Sequence, residues 1–217
     1  MLIALTGFMG CGKSTVGSLV AEALGCPFLD LDAVVEKKVG KSIPQIFEAD
    51  GESAFRRMEK KALEEIVKKY AESTAVLALG GGTVTVSGAP ELLREKTLCI
   101  YLEATLETLQ GRLEGQTEGR PLAGGGMAER LAAREPLYRQ AAHITLETDR
   151  LSPEELADEI IISCLYFSLG LPIFVVYGDC RTSMDRQDAC QRGKSCAAGY
   201  GTGYRPGSGH PAHPARR

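Results

Sequence analysis

Along the first three quarters of the chain, apolar residues fall into short runs separated by longer charged stretches. The runs at 2–5, 27–31, 75–79, 98–102 and 143–146 have strand length. Between them, 14–24 carries Val16, Leu19, Val20, Ala23 and Leu24 on one face at helical spacing. The stretches 56–70 and 152–162 are also amphipathic, and Ser152-Pro153 with Glu155 makes a helix start. Strands alternating with helices predict βαβ units and a parallel sheet covered on both faces. The expected fold is α/β: a three-layer α/β/α sandwich with a five-stranded parallel sheet over residues 1–163.

The pattern then changes. Positions 160–177, "IIISCLYFSLGLPIFVVY", are 18 uncharged residues in a row, close to the length of a membrane span. Their first third completes an amphipathic helix, and Gly170 and Pro172 interrupt the remainder, so no span is expected. Beyond Tyr177 the chain is rich in Gly, Arg, Cys and Pro and has no periodicity. Residues 164–217 therefore read as a separate tail, largely disordered. That tail holds seven Lys/Arg against three Asp/Glu, a net +4, which leaves −7 for the first 163 residues and −3 overall. This balance argues against broad nucleic-acid or membrane-surface binding. Cys11, Cys26 and Cys99 have no pairing pattern and read as reduced cytosolic thiols; Cys164, Cys180, Cys190 and Cys196 lack metal-ligand spacing. The run 2–5 is too short for a signal peptide and leads straight into a glycine loop.

That loop, Gly7-Phe-Met-Gly-Cys-Gly-Lys13-Ser14, fits G-x-x-x-x-G-K-[ST]. It follows a strand and opens a helix, the context in which the pattern signifies a phosphate cradle. Glycines let successive backbone N–H groups turn inward, and the helix N-terminus adds its dipole. Lys13 can reach terminal phosphates and the Ser14 hydroxyl can ligate Mg2+. A nucleoside triphosphate is the expected ligand.

The phosphoryl acceptor must be read elsewhere. "FLDLDAVVEK" sets Asp30 and Asp32 two apart at the end of the second strand, where strand periodicity would point both to one face. One carboxylate could hold hydrated Mg2+ while the other orients an acceptor hydroxyl; a helix N-cap beside a solvated aspartate is the alternative. Arg56 and Arg57 follow Phe47 and Phe55, and a guanidinium beside aromatics can grip a carboxylate. Gly80, Gly81 and Gly82 end a buried strand, as expected where backbone presses against a ligand. "EGRPLAGGG" (118–126) offers a glycine-flanked arginine able to close over a transferring phosphoryl group. "AAREPLYRQAA" (132–142) sets Arg134 and Arg139 around a proline and a tyrosine.

In this order, GFMGCGKS (7–14), DLD (30–32), IFEADGESAFRRME (46–59), LGGG (79–82), RPLA (120–123) and REPLY (134–138) resemble the shikimate kinase family, over about residues 2–163. The resemblance implies a P-loop nucleoside-kinase type of fold, with a substrate-binding segment near 33–60 and a lid near 112–126. It implies that Gly10, Cys11, Gly12, Lys13, Ser14 and Thr15 wrap the ATP phosphates, with Lys13 on the transferred group. It puts Ser14 on Mg2+, with Asp30 holding the ion through water. Asp32 would bind the attacking shikimate hydroxyl, and Arg56 and Arg134 the shikimate carboxylate. Gly80 and Gly82 would flank Gly81, whose backbone meets the ring hydroxyls. Arg120 would be the lid arginine on ATP, and Arg112 would lie by the adenine. RPLA stands where RPLL is usual and Ala123 is only 11 positions from Arg134, so lid closure is expected to differ.

The implied function is ATP-dependent phosphorylation of shikimate to shikimate 3-phosphate in aromatic amino-acid biosynthesis. The implied protein is a cytoplasmic monomer with small-molecule partners and neither nucleic acid nor membrane. A kinase of a gluconate-like acceptor and a degenerate nucleotide-binding regulatory domain are the rival readings.

Overall fold

The five apolar runs line up as one sheet in the structure, a computed structural model that describes residues 1–114 and 126–171. The strands are β1 (Leu2–Thr6), β2 (Phe28–Asp30), β3 (Ala75–Ala78), β4 (Leu98–Glu103) and β5 (Ile144–Glu147), all parallel in the order β2-β3-β1-β4-β5. One row of the register runs Asp30, Ala78, Leu5, Ile100, Ile144 across the sheet. Every residue of β1 and β3 is buried, as continuous apolar runs require when helices cover both faces.

The helices are α1 (Lys13–Ala23), α2 (Leu31–Val39), α3 (Ile43–Lys69), α4 (Ala89–Lys96), α5 (Leu106–Leu113), α6 (Met127–Ala141) and α7 (Pro153–Ser168). The step from β1 to β2 and the step from β3 to β4 cross the sheet in opposite directions, so right-handed crossovers put α1 and α4 on opposite faces. Accordingly α1 packs with α7, and α4 packs with α6. The same reversal leaves a crevice at the carboxyl ends of β1 and β3, the place where open α/β sheets hold ligands.

Several boundaries move for local reasons. Leu31 leaves the second strand because Asp30 caps α2, its carboxylate accepting from the N–H groups of Asp32 (3.0 Å) and Ala33 (3.3 Å). In α3 the helix begins at Ile43, well before residue 56, and Gly51 at φ +77° kinks it. On α1, Ala23 is exposed while Gly17 and Ala21 are buried. A Cβ at Gly17 would lie 2.6 Å from the Phe28 ring, so the glycine is what lets α1 sit on β2. The expected start of α7 is present: Ser152 N–H donates to Glu155 at 2.8 Å and Glu155 N–H to Ser152 Oγ at 3.2 Å. The helix then runs through residue 163 to Ser168, since Cys164 is still buried in the core. Its last turns expose Leu165 and Leu169. Among the described residues no helix is long and apolar enough to cross a membrane. Apart from their first eight positions, residues 164–217 lie outside the described part, as do Cys180, Cys190 and Cys196.

Candidate active site

The carboxyl ends of β1, β2 and β3 open onto a cavity of about 940 Å³. Gly10, Cys11, Gly12, Lys13, Ser14, Thr15, Asp30, Asp32, Arg56, Gly80, Gly81, Gly82, Arg112 and Arg134 all line it. Arg120 lies outside the described residues, as does most of the expected lid segment.

The glycine loop joins β1 to α1. Gly12, at φ +100°, is the residue before the first helical turn, and no side chain caps that end. Its free N–H groups and the helix dipole therefore face the cavity, as an anion site needs. Lys13 Nζ donates to the carbonyls of Gly7 and Phe8 at 2.9 Å each, and lies 3.6 Å from Cys11 Sγ. Cys11 itself is buried, its side chain filling the space beneath the loop. Ser14 Oγ donates to Asp30 Oδ2 at 3.0 Å, while the other oxygen of Asp30 caps α2. A hydroxyl and a carboxylate are both oxygen donors of the kind Mg2+ takes, the hydroxyl able to ligate the ion directly and Asp30 able to hold one of its waters. Among the described residues no group of three or more His, Cys, Asp or Glu could hold a metal alone. A cation here would draw further oxygens from phosphate and water, as Mg2+ does in nucleotide sites. The pair therefore fits Mg2+.

Asp32 reaches the cavity from the first turn of α2, not from β2, so strand periodicity is not what brings it beside Asp30. Burial, then the charges of Glu59 and Asp30, push its carboxyl up to about 6, against the pull of Lys13 and Arg56. Arg56, on α3, lies over the Phe55 ring at 5.2 Å and donates to Glu59 Oε2 at 2.7 Å and to Glu52 Oε1 at 3.0 Å. Glu59 is fully buried, and its second oxygen accepts from Thr83 Oγ1 at 2.5 Å. A Cβ on Gly82 would collide with the Arg56 guanidinium, and one on Gly80 would lie 2.7 Å from Asp32 Oδ1. At Gly80 and Gly82 the close neighbours are thus the protein's own Asp32, Glu59 and Arg56 side chains, where the sequence led one to expect a ligand.

Arg134, on α6, is 8% exposed, lies over the Phe8 ring at 5.7 Å and donates to the Gly81 carbonyl at 3.2 Å. Arg139, one turn further on, faces away and pairs with Glu135 and Glu103. Arg57 is exposed. Arg112 is held by Thr148, donating to its hydroxyl at 3.1 Å and its carbonyl at 2.8 Å, and shares its part of the wall with Leu151 and Pro153.

Sequence reading gave no role to Glu59, Thr83 or Tyr138. Glu59 had a legible signal, since it stands three residues after Arg56 and so shares its helix face. Tyr138 had one too, standing four residues after Arg134 in REPLY (134–138), but its partner Gly81 is distant in sequence, and Thr83 had none.

A family model described as shikimate kinase matches residues 9–165. The chain is 44% identical over 161 residues to a shikimate kinase of Chlorobium chlorochromatii, covering 68% of this chain and 82% of the relative. It is 43% identical over 167 residues to one of Symbiobacterium thermophilum, covering 74% and 94%. Among solved structures, the shikimate kinase from Acinetobacter baumannii in complex with shikimate superposes with a TM-score of 0.70 at 38% identity, covering 77% of this chain and 94% of that one. The shikimate kinase from Aquifex aeolicus gives 0.68 at 34% identity, covering 78% and 99%. With the phosphate loop and the arginine–glycine wall meeting in one cavity, and the family match running through both, the chain belongs to the shikimate kinase family.

Proposed function

We propose that this chain transfers the terminal phosphoryl group of ATP to shikimate, giving shikimate 3-phosphate. The observation that carries the reading is that one cavity joins a phosphate loop to two arginines, a half-buried aspartate and a glycine run. The donor's phosphates lie along the α1 N-terminus with Lys13 on the transferred group. Ser14 and Asp30 hold Mg2+, which when bound neutralises the β- and γ-phosphates. Arg56 and Arg134 grip the acceptor's carboxylate, and Asp32 accepts the proton of the attacking hydroxyl. Such transfers require little covalent chemistry from the protein, so positioning and charge neutralisation carry the rate. Arg112 stands by the adenine, and Arg120, outside the described residues, is assigned to ATP by the family resemblance alone.

A coupled ADP-release assay with MgATP and a panel of shikimate, gluconate and nucleoside monophosphates tests this. Turnover with shikimate alone is the expected result. ATP binding without shikimate-dependent ADP release would overturn it.

Arg56→Ala is expected to raise the KM for shikimate about 10²-fold, the cost of removing one partner from a desolvated ion contact, with the KM for ATP nearly unchanged. It should also cost about 3 kcal/mol of stability, because Glu59 is left buried without its cation. Steady-state kinetics with each substrate varied, and a melting curve, check both.

We also read residues after α7 as separate from the catalytic domain, and the protein as a monomer. A chain ended at Leu171 should keep its kcat and its melting temperature; loss of folding would make the tail part of the core. Light scattering on the full chain checks the monomer.

A further inference from the structure

The phosphate loop and the acceptor wall meet at one peptide, Gly81–Gly82. Tyr138 and Arg134 are four residues apart on α6 and so share a face, and both are buried. The Tyr138 hydroxyl donates to the Gly81 carbonyl at 2.5 Å, and Arg134 Nη1 to the same oxygen at 3.2 Å, so both of its lone pairs are used. In a trans peptide the N–H of Gly82 points opposite to that carbonyl. The amides of Gly81 and Gly82 donate to no acceptor within the described residues, and both glycines line the cavity. On its other side Gly81 lies close to the phosphate loop, since a Cβ there would sit a tight 3.3 Å from Met9 N. The Tyr138 ring is itself fixed, stacked on Tyr101 of β4 with centroids 5.1 Å apart and planes 23° apart. Burial holds the phenol well above its usual range, so it stays a donor throughout the working pH range.

We propose that Tyr138 is a positioning residue for the acceptor. Its hydroxyl takes the Gly81 carbonyl, so that the Gly82 N–H is presented to an acceptor hydroxyl and Arg134 keeps donors for the acceptor carboxylate. Without the phenol, Arg134 alone satisfies the carbonyl, and the guanidinium is divided between backbone and ligand. The same peptide packs on Met9, so its orientation also sets the spacing between acceptor and phosphate loop. This rests on the shikimate reading for the acceptor's identity, but not for the peptide geometry.

Tyr138→Phe keeps the ring and its stack and removes only the hydroxyl. In the full-length variant, the KM for shikimate should rise about tenfold, with kcat reduced and the KM for ATP within about twofold of the parent. In the ligand-free protein, amide hydrogen exchange should quicken in the 79–86 segment while the rest of the sheet stays protected. Tyr101→Phe, which removes the neighbouring phenol without touching Gly81, should change neither. Unaltered exchange at 79–86 in Tyr138→Phe, or equal rises in both KM values with protection lost throughout the sheet, would overturn the assignment. A parent that binds ATP but does not turn over shikimate would instead overturn the substrate reading, and exchange would still decide the role of Tyr138.

Discussion

Asp32→Asn is expected to lose activity and gain stability together. In the proposed role of acceptor for the hydroxyl proton, Asp32 would contribute a factor of about 10²–10⁴ to kcat, which the amide cannot supply. Its carboxyl sits at about 6 against an ordinary 3.8. The native state therefore binds more protons than the unfolded chain between those values, and stability falls as pH rises through that window. Holding the charge at neutral pH costs roughly 2–3 kcal/mol, a cost the neutral amide of the same shape avoids. Asp32→Asn should thus melt higher than the parent at pH 7, with the gain disappearing below about pH 4. The parent's kcat/KM for shikimate should show an acid limb centred near pH 6, because that parameter reports the free enzyme. Melting curves at both pH values and a pH–rate profile check this. A variant no more stable than the parent at neutral pH would mean that Asp32 is not held at a cost.

Lys13→Ala should lower kcat about 10²–10³-fold, the usual loss when one preorganised donor to developing charge is removed. Among the described residues no other lysine lines the cavity. In the ligand-free protein the ammonium rests on the Gly7 and Phe8 carbonyls, so it is already within the loop and needs only to turn toward a phosphate. Losing those two bonds should change stability by only about 1–2 kcal/mol. Calorimetric titration should find shikimate binding near the parent value, because Arg56, Arg134 and Gly81 are untouched. Equal loss of shikimate affinity would move Lys13 from the donor half to the acceptor half.

Much of this was legible along the chain because its causes are local. Continuous apolar runs identified all five strands, and Ser152 with Glu155 marked the start of α7. The phosphate loop could be recognised because a glycine loop between strand and helix acts through its own backbone. What local pattern could not supply were contacts between distant elements. Asp30 and Asp32 were legible as a pair, with strand periodicity and a helix N-cap as rival reasons; the cap is what forms, Asp30 capping α2 and Asp32 standing in its first turn. Along α6 the buried residues near the site are an arginine and a tyrosine, and Pro136 lies inside the helix, so no apolar stripe announced it.

By itself the sequence determined the sheet and the phosphate loop, because those follow from hydrophobic period and short-range backbone geometry, while the acceptor residues were implied by the resemblance to a family. Only the tertiary structure decided which arginine faces inward. Arg134 is buried at Gly81 while Arg139, alike in sequence, is tied to surface carboxylates. It also decided that burial raises the Asp32 carboxyl to about 6, that Glu59 holds Arg56 in place, and that the Tyr138 hydroxyl donates to the Gly81 carbonyl. Each of these depends on burial and on partners from different strands and helices, which only packing brings together.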